Sequence, residues 1–237
     1  MKNKILKEII SFRKKEKAEI LSRFFKTGKG QYGFGDLFLG ITVPKSREIA
    51  VKYMSASFDD VKGLVSNKYH EVKLIALLIL VQKYKKSKTE IEKKKIIDLY
   101  LSQTEYINNW DLVDLSAHYI LGDYIYNNKK EIKIIRALVK SKNLWEKRIA
   151  IISTFAFIYK GESKLTFEMV NCLMRDKHDL IHKACGWMLR EVGKRVNEGQ
   201  LCLFIDQNYA QMPRTMLRYA IERLPEKKRK YYLNLNK

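Results

Sequence analysis

In Trp110-Asp111-Leu112-Val113-Asp114, Trp110 and Asp114 are four residues apart and would share one face of a helix. Trp145 and Arg148 stand three apart further on. Trp187 has Lys183 four residues before it, with Arg190 and Lys194 three and seven after, all on one helical stripe. Tryptophans more often fill cores than do chemistry, and that plain reading stays open for each of the three. The acid is harder to explain as packing. The chain carries 47 Lys and Arg against 26 Asp and Glu, a formal charge of +21, and such an excess attracts polyanions, nucleic acid foremost. A carboxylate beside aromatics in that field repels phosphate, so it needs a functional reason to be there. A bias toward Lys and Asn codons would also raise the charge, so charge alone does not decide.

Two other patterns lead nowhere. Gly28-Lys29-Gly30-Gln31-Tyr32-Gly33 matches a dinucleotide fingerprint, but it follows a helix ending near Phe25 and opens no helix that could receive a pyrophosphate. His178 and His182 are four apart, yet no third ligand stands nearby, so no metal or cofactor is expected. The cysteines, Cys172, Cys185 and Cys202, have no paired spacing, which fits a reducing compartment. The longest apolar run, Leu74 to Val81, is too short to span a bilayer, and no secretory segment is read at the N-terminus. The expectation is a cytoplasmic protein, nucleoid-associated when bound to DNA.

The elements that must position these residues read as helices. Segments 71–84, 111–126, 145–160, 181–195 and 216–224 have apolar residues at helical spacing, with weaker partners near 58–66, 89–103, 130–140, 164–174 and 197–206. Ala76, Ala117, Ala150, Ala184 and Ala220 recur at intervals of 41, 33, 34 and 36 residues, in similar settings. An all-helical period of that length predicts paired-helix repeats. The fold expected is therefore all-α, a superhelical solenoid of HEAT-like helix pairs forming a single domain over 1–237, with a short hairpin or turn near residues 30–38. Its inner helices would line a groove where Asp114, Arg148 and Trp187 converge from successive repeats.

Asn108 to Asp114, Leu144-Trp145-Glu146-Lys147-Arg148-Ile149-Ala150 and Gly186-Trp187-Met188-Leu189-Arg190-Glu191 resemble the signature segments of the AlkD-like DNA alkylation-repair glycosylases. Phe38-Leu39-Gly40-Ile41 with Pro44 and Arg47 is similar to that family's N-terminal segment, and Pro213-Arg214 through Arg218 and Ala220 to its last inner helix. The resemblance runs from about residue 24 to 224. It implies excision of purines alkylated at N3 or N7 from duplex DNA, without flipping the base. Asp114 would stabilise the oxocarbenium-like sugar, Trp110 and Trp187 would pack against it, and Arg148 would grip a nearby phosphate. Arg47, Lys183, Arg190, Lys194, Arg214 and Arg218 would be further DNA contacts, and a monomer is expected.

The chain departs from the family at Thr27–Asp36, where Gln31 or Tyr32 takes the place of a DNA-contacting tyrosine. Two alternatives therefore stand beside the enzyme: a non-catalytic module for damaged or branched DNA, and a scaffold for a protein partner.

Overall fold

A computed structural model describes residues 1–235. They form two compact units, Met1–Ser116 and the chain from Ala117 onward. The first contains α1 (Lys2–Ser11), α2 (Lys15–Phe24), α3 (Val43–Lys52), α4 (Phe58–Val65), α5 (His70–Lys86), α6 (Glu90–Ser102) and α7 (Trp110–Asp114). The second contains α8 (Asp123–Asn127), α9 (Ile132–Leu138), α10 (Leu144–Ser153), α11 (Phe155–Tyr159), α12 (Lys164–Leu173), α13 (Asp179–Arg195), α14 (Glu198–Asn208), α15 (Arg214–Ala220) and α16 (Glu226–Asn234).

The all-helical, paired-helix fold predicted from the repeat is the fold observed. Ala76, Ala117, Ala150, Ala184 and Ala220 are each at most 1% exposed, which places all five in the core. In the first unit α5 is the hub: it packs on α3, α4, α6 and α7, and Leu74 to Val81 are all buried. A helix apolar on every side must be surrounded. In the second unit α13 has that place, with α10, α12, α14 and α15 against it.

Local chemistry sets the helix starts. Ser57 with Asp60, and Thr89 with Glu92, form reciprocal capping boxes on α4 and α6. His178 caps α13, its Nδ1 accepting the Leu180 N–H at 3.2 Å. His182 Nε2 reaches the Asp176 carbonyl at 2.6 Å, so the histidine pair organises this helix start.

Two expected helices are interrupted. Segment 111–126 passes through a π-helical turn at His118–Gly122, where the Asp123 N–H reaches back to the His118 carbonyl. Segment 145–160 breaks at Thr154, whose hydroxyl takes the Ile151 carbonyl at 2.7 Å. Near residues 30–38 a hairpin does not form. The segment is a run of turns, with Gly30 and Gly35 at φ +78° and +89°, and its one β-type contact is an isolated bridge from Leu37 to Tyr69. Its backbone bonds close on themselves, Gln31 N–H to Gly28 and Asp36 N–H to Gly33, leaving no second strand to pair.

Candidate active site

Helix α7 is five residues long and carries both Trp110 and Asp114. A helix that short has little stability of its own, so its neighbours set its position. At its N-terminus the Asn109 Oδ1 accepts the Trp110 N–H at 2.9 Å, while Asn109 Nδ2 donates to Asp36 Oδ2 at 3.1 Å. Just beyond its C-terminus, Ser116 Oγ bonds the Leu112 carbonyl at 2.5 Å and lies 3.0 Å from the buried Tyr100 hydroxyl.

The motif's two acids have different surroundings. Asp114 is half-buried, and so is Trp110. Asp111 turns inward, where its Oδ2 meets His70 Nε2 at 2.9 Å and its Oδ1 is buried with no hydrogen-bond partner. His70 Nδ1 meets Asp36 Oδ2 at 3.0 Å, and Lys73 Nζ donates to Asp36 Oδ1 and Asn108 Oδ1, both at 2.8 Å. Burial alone would lower the His70 pKa, but the charges and hydrogen bonds of Asp111 and Asp36 outweigh it and raise the value to about 9. Burial works equally in vain on Asp36, which His70 and Lys73 hold far below the usual carboxylate range.

Beside this network, Glu71 accepts three backbone N–H groups, from Leu39 at 2.8 Å, Gly40 at 2.8 Å and Ile41 at 3.1 Å. Gly40 has φ +85°, and a Cβ there would collide with the Lys14 carbonyl. The Phe38–Ile41 segment is thus fastened to the start of α5. A cavity of about 320 Å³ lies between α2, this segment and α5, bordered by Phe25, Phe38, His70 and Asp111 among others. Trp110 stacks on Phe25, ring centroids 5.1 Å apart, and belongs to a small apolar cluster with Ala18, Leu21 and Phe38.

In the second unit Trp187 is half-buried on α13 and meets the Phe155 ring at 5.8 Å. The Arg195 guanidinium sits over Phe155 and Tyr159 at 5.6 and 4.5 Å, steered by a 2.7 Å bond to the buried Glu191. Trp145 is buried. Arg148 is buried as well, and its Nη1 donates to the Leu180 carbonyl at 2.6 Å. Any phosphate it takes must use other donors of the guanidinium.

The remaining basic candidates divide by commitment. Arg190 is tied to Glu222 and Glu191, Lys183 to Asp179 at 2.8 Å, and Arg214 to the Leu233 carbonyl at 2.5 Å. Arg47, Lys194 and Arg218 are exposed, with no hydrogen bond or salt bridge among the described residues. Asp36, His70, Glu71 and Lys73 were missed by sequence reasoning. The available signal was two ionisable residues, His70-Glu71, opening the helix that carries the long apolar run Leu74 to Val81.

The model of a family of DNA alkylation repair enzymes matches residues 5–224. A solved structure described as a predicted DNA alkylation repair enzyme from Enterococcus faecalis superposes with a TM-score of 0.72 at 16% identity, covering 90% of this chain and 97% of that one. No curated protein matches the sequence. Among the described residues, no helix is long and apolar enough to cross a membrane.

Proposed function

Because the chain belongs to the DNA alkylation repair enzyme family, we propose that it is a DNA glycosylase removing purines alkylated at N3 or N7 from duplex DNA. One observation carries the reading: Asp114 stands half-buried, four residues from a half-buried tryptophan, in a chain of net charge +21. A carboxylate there costs affinity for phosphate, and stabilising a cation is work that offsets this cost.

The chemistry asks little else. An alkylated purine already bears a positive charge. When the bond from C1′ to the base nitrogen breaks, its electron pair leaves with the base, which departs neutral. The positive charge then rests on the deoxyribose. Asp114 stabilises that charge and orients the water that adds at C1′, whose extra proton passes to bulk water. Trp110, on the same short helix as Asp114, offers a ring face to that cation, and Trp187 is assigned a like contact with the sugar on the family resemblance alone. Arg148 supplies positive charge for a phosphate, and the exposed Arg47, Lys194 and Arg218 supply the sequence-independent hold on the backbone, which Lys183, Arg190 and Arg214 would join only by releasing their internal partners. Selectivity comes from the lability of the cationic base, so the base need not leave the stack. The reading takes the chain as a monomer acting on chromosomal DNA.

The test is release of free base from duplex DNA methylated at guanine N7 and adenine N3, wild type against Asp114→Asn. A fall of at least about tenfold, or about 1.4 kcal/mol of transition-state stabilisation, is expected. No release by either protein, with salt-sensitive DNA binding intact, would replace the enzyme by a module that binds damaged or branched DNA.

A further inference from the structure

We propose that His70, clamped between Asp36 and Asp111, is a positioning residue that fixes α7 and with it the presentation of Trp110 and Asp114. The kinetic part rests on the glycosylase reading; the structural part rests on geometry alone.

Each ring nitrogen of His70 faces a carboxylate oxygen, at 3.0 and 2.9 Å. Carboxylates only accept, and a neutral imidazole has one N–H, so satisfying both contacts takes the doubly protonated ring. The ring then joins two points: Asp36, itself held by Lys73 and Asn109, and Asp111 on α7. Asp111 adjoins Trp110 and precedes Asp114 by three residues, so the clamp grips α7 between its two functional side chains. A second route reaches the same tryptophan. His70 packs against Phe38 at 4.4 Å and Phe25 at 5.0 Å, and Phe25 stacks on Trp110.

Two features argue that the clamp serves placement more than stability. Ion networks in dry surroundings add little net stability, since apolar residues of similar volume often do as well. The cavity of about 320 Å³ bordering His70 and Asp111 also means that close packing does not hold this side of the network. Directional hydrogen bonds therefore set where α7 lies.

The experiment compares wild type, His70→Gln and Asp36→Asn. The expected result is kcat for base release lowered about tenfold or more, with DNA affinity changed by less than about twofold. If His70→Gln does not fold, Asp36→Asn, which keeps the shape and removes one charge, carries the comparison. Nitrogen NMR of the wild-type ring at neutral pH should show both nitrogens protonated. A folded variant with unchanged kcat, or a singly protonated ring, overturns the proposal. Should wild type release no base, the glycosylase reading fails separately. The clamp is then judged by the Trp110 indole N–H resonance, which must move in His70→Gln for the proposal to stand.

Discussion

Phe25 lies nearly parallel to Trp110, the ring planes 17° apart, whereas its neighbour Phe24 meets the same indole edge-on and is 62% exposed. Adjacent residues of one type thus have opposite roles. Removing the buried ring leaves a hole beside an existing cavity, so Phe25→Ala should cost about 3–5 kcal/mol in urea unfolding. Phe24→Ala should stay within about 0.5 kcal/mol. Equal costs for the two would contradict the packing described.

The clamp predicts how stability changes with pH. The folded-state value of His70 is raised from 6.5 to about 9, so its contribution is complete below about pH 6.5 and disappears as pH rises through 9. Asp36 has the opposite sign. Its value is depressed, so its contribution is present above the ordinary carboxylate value of 3.8 and is lost as pH falls below it. Denaturant midpoints should fall more steeply from neutral pH to pH 10 in wild type than in His70→Gln. Parallel curves would show that His70 does not titrate as described.

The helices were legible because each needs only a local pattern: apolar residues at three and four, and a small residue where helices cross. The five recurring alanines, Ala76, Ala117, Ala150, Ala184 and Ala220, all lie buried. The interruptions were not legible. Whether Thr154 turns its hydroxyl to Ile151, or Gly122 lets the chain pass close to the Ser153 carbonyl, depends on what packs there. The site was half legible. Trp110 and Asp114 are near in sequence and share α7, so spacing joined them. Asp36, His70 and Asp111 are 34 and 41 residues apart, and only the fold brings them together.

Gly186 tests how tightly Trp187 is held. A Cβ at this position would sit 2.5 Å from the Met216 carbonyl and 2.5 Å from the Tyr219 Cβ, so α13 and α15 touch there with no room to spare. Gly186→Ala must push the two helices apart, at a cost of about 1–3 kcal/mol. The melting temperature should drop by roughly 2–4 °C for each kcal/mol. Because Trp187 is the next residue, base release should fall by more than the loss of folded protein explains. A variant with unchanged Tm would mean that this contact is looser than the geometry implies.

The basic residues give the final prediction, because commitment to an internal partner limits what each can offer DNA. Lys194 and Arg218 are exposed, without a hydrogen bond or salt bridge among the described residues, so a phosphate is free to take either. Arg190 already bonds Glu222 and Glu191 and would have to release them first. Each phosphate contact displaces condensed counterions, and losing one should reduce the slope of log affinity against log salt by about 0.9. Lys194→Ala and Arg218→Ala should each lower the slope by about that amount and weaken binding evenly across sequences. Arg190→Ala should leave the slope nearly unchanged while destabilising the fold, because Glu191 is buried and loses one of its two cationic partners. Measuring affinity for an unmodified duplex over a range of salt separates these cases, and an Arg190→Ala slope as low as that of Lys194→Ala would show that DNA outcompetes the internal pair.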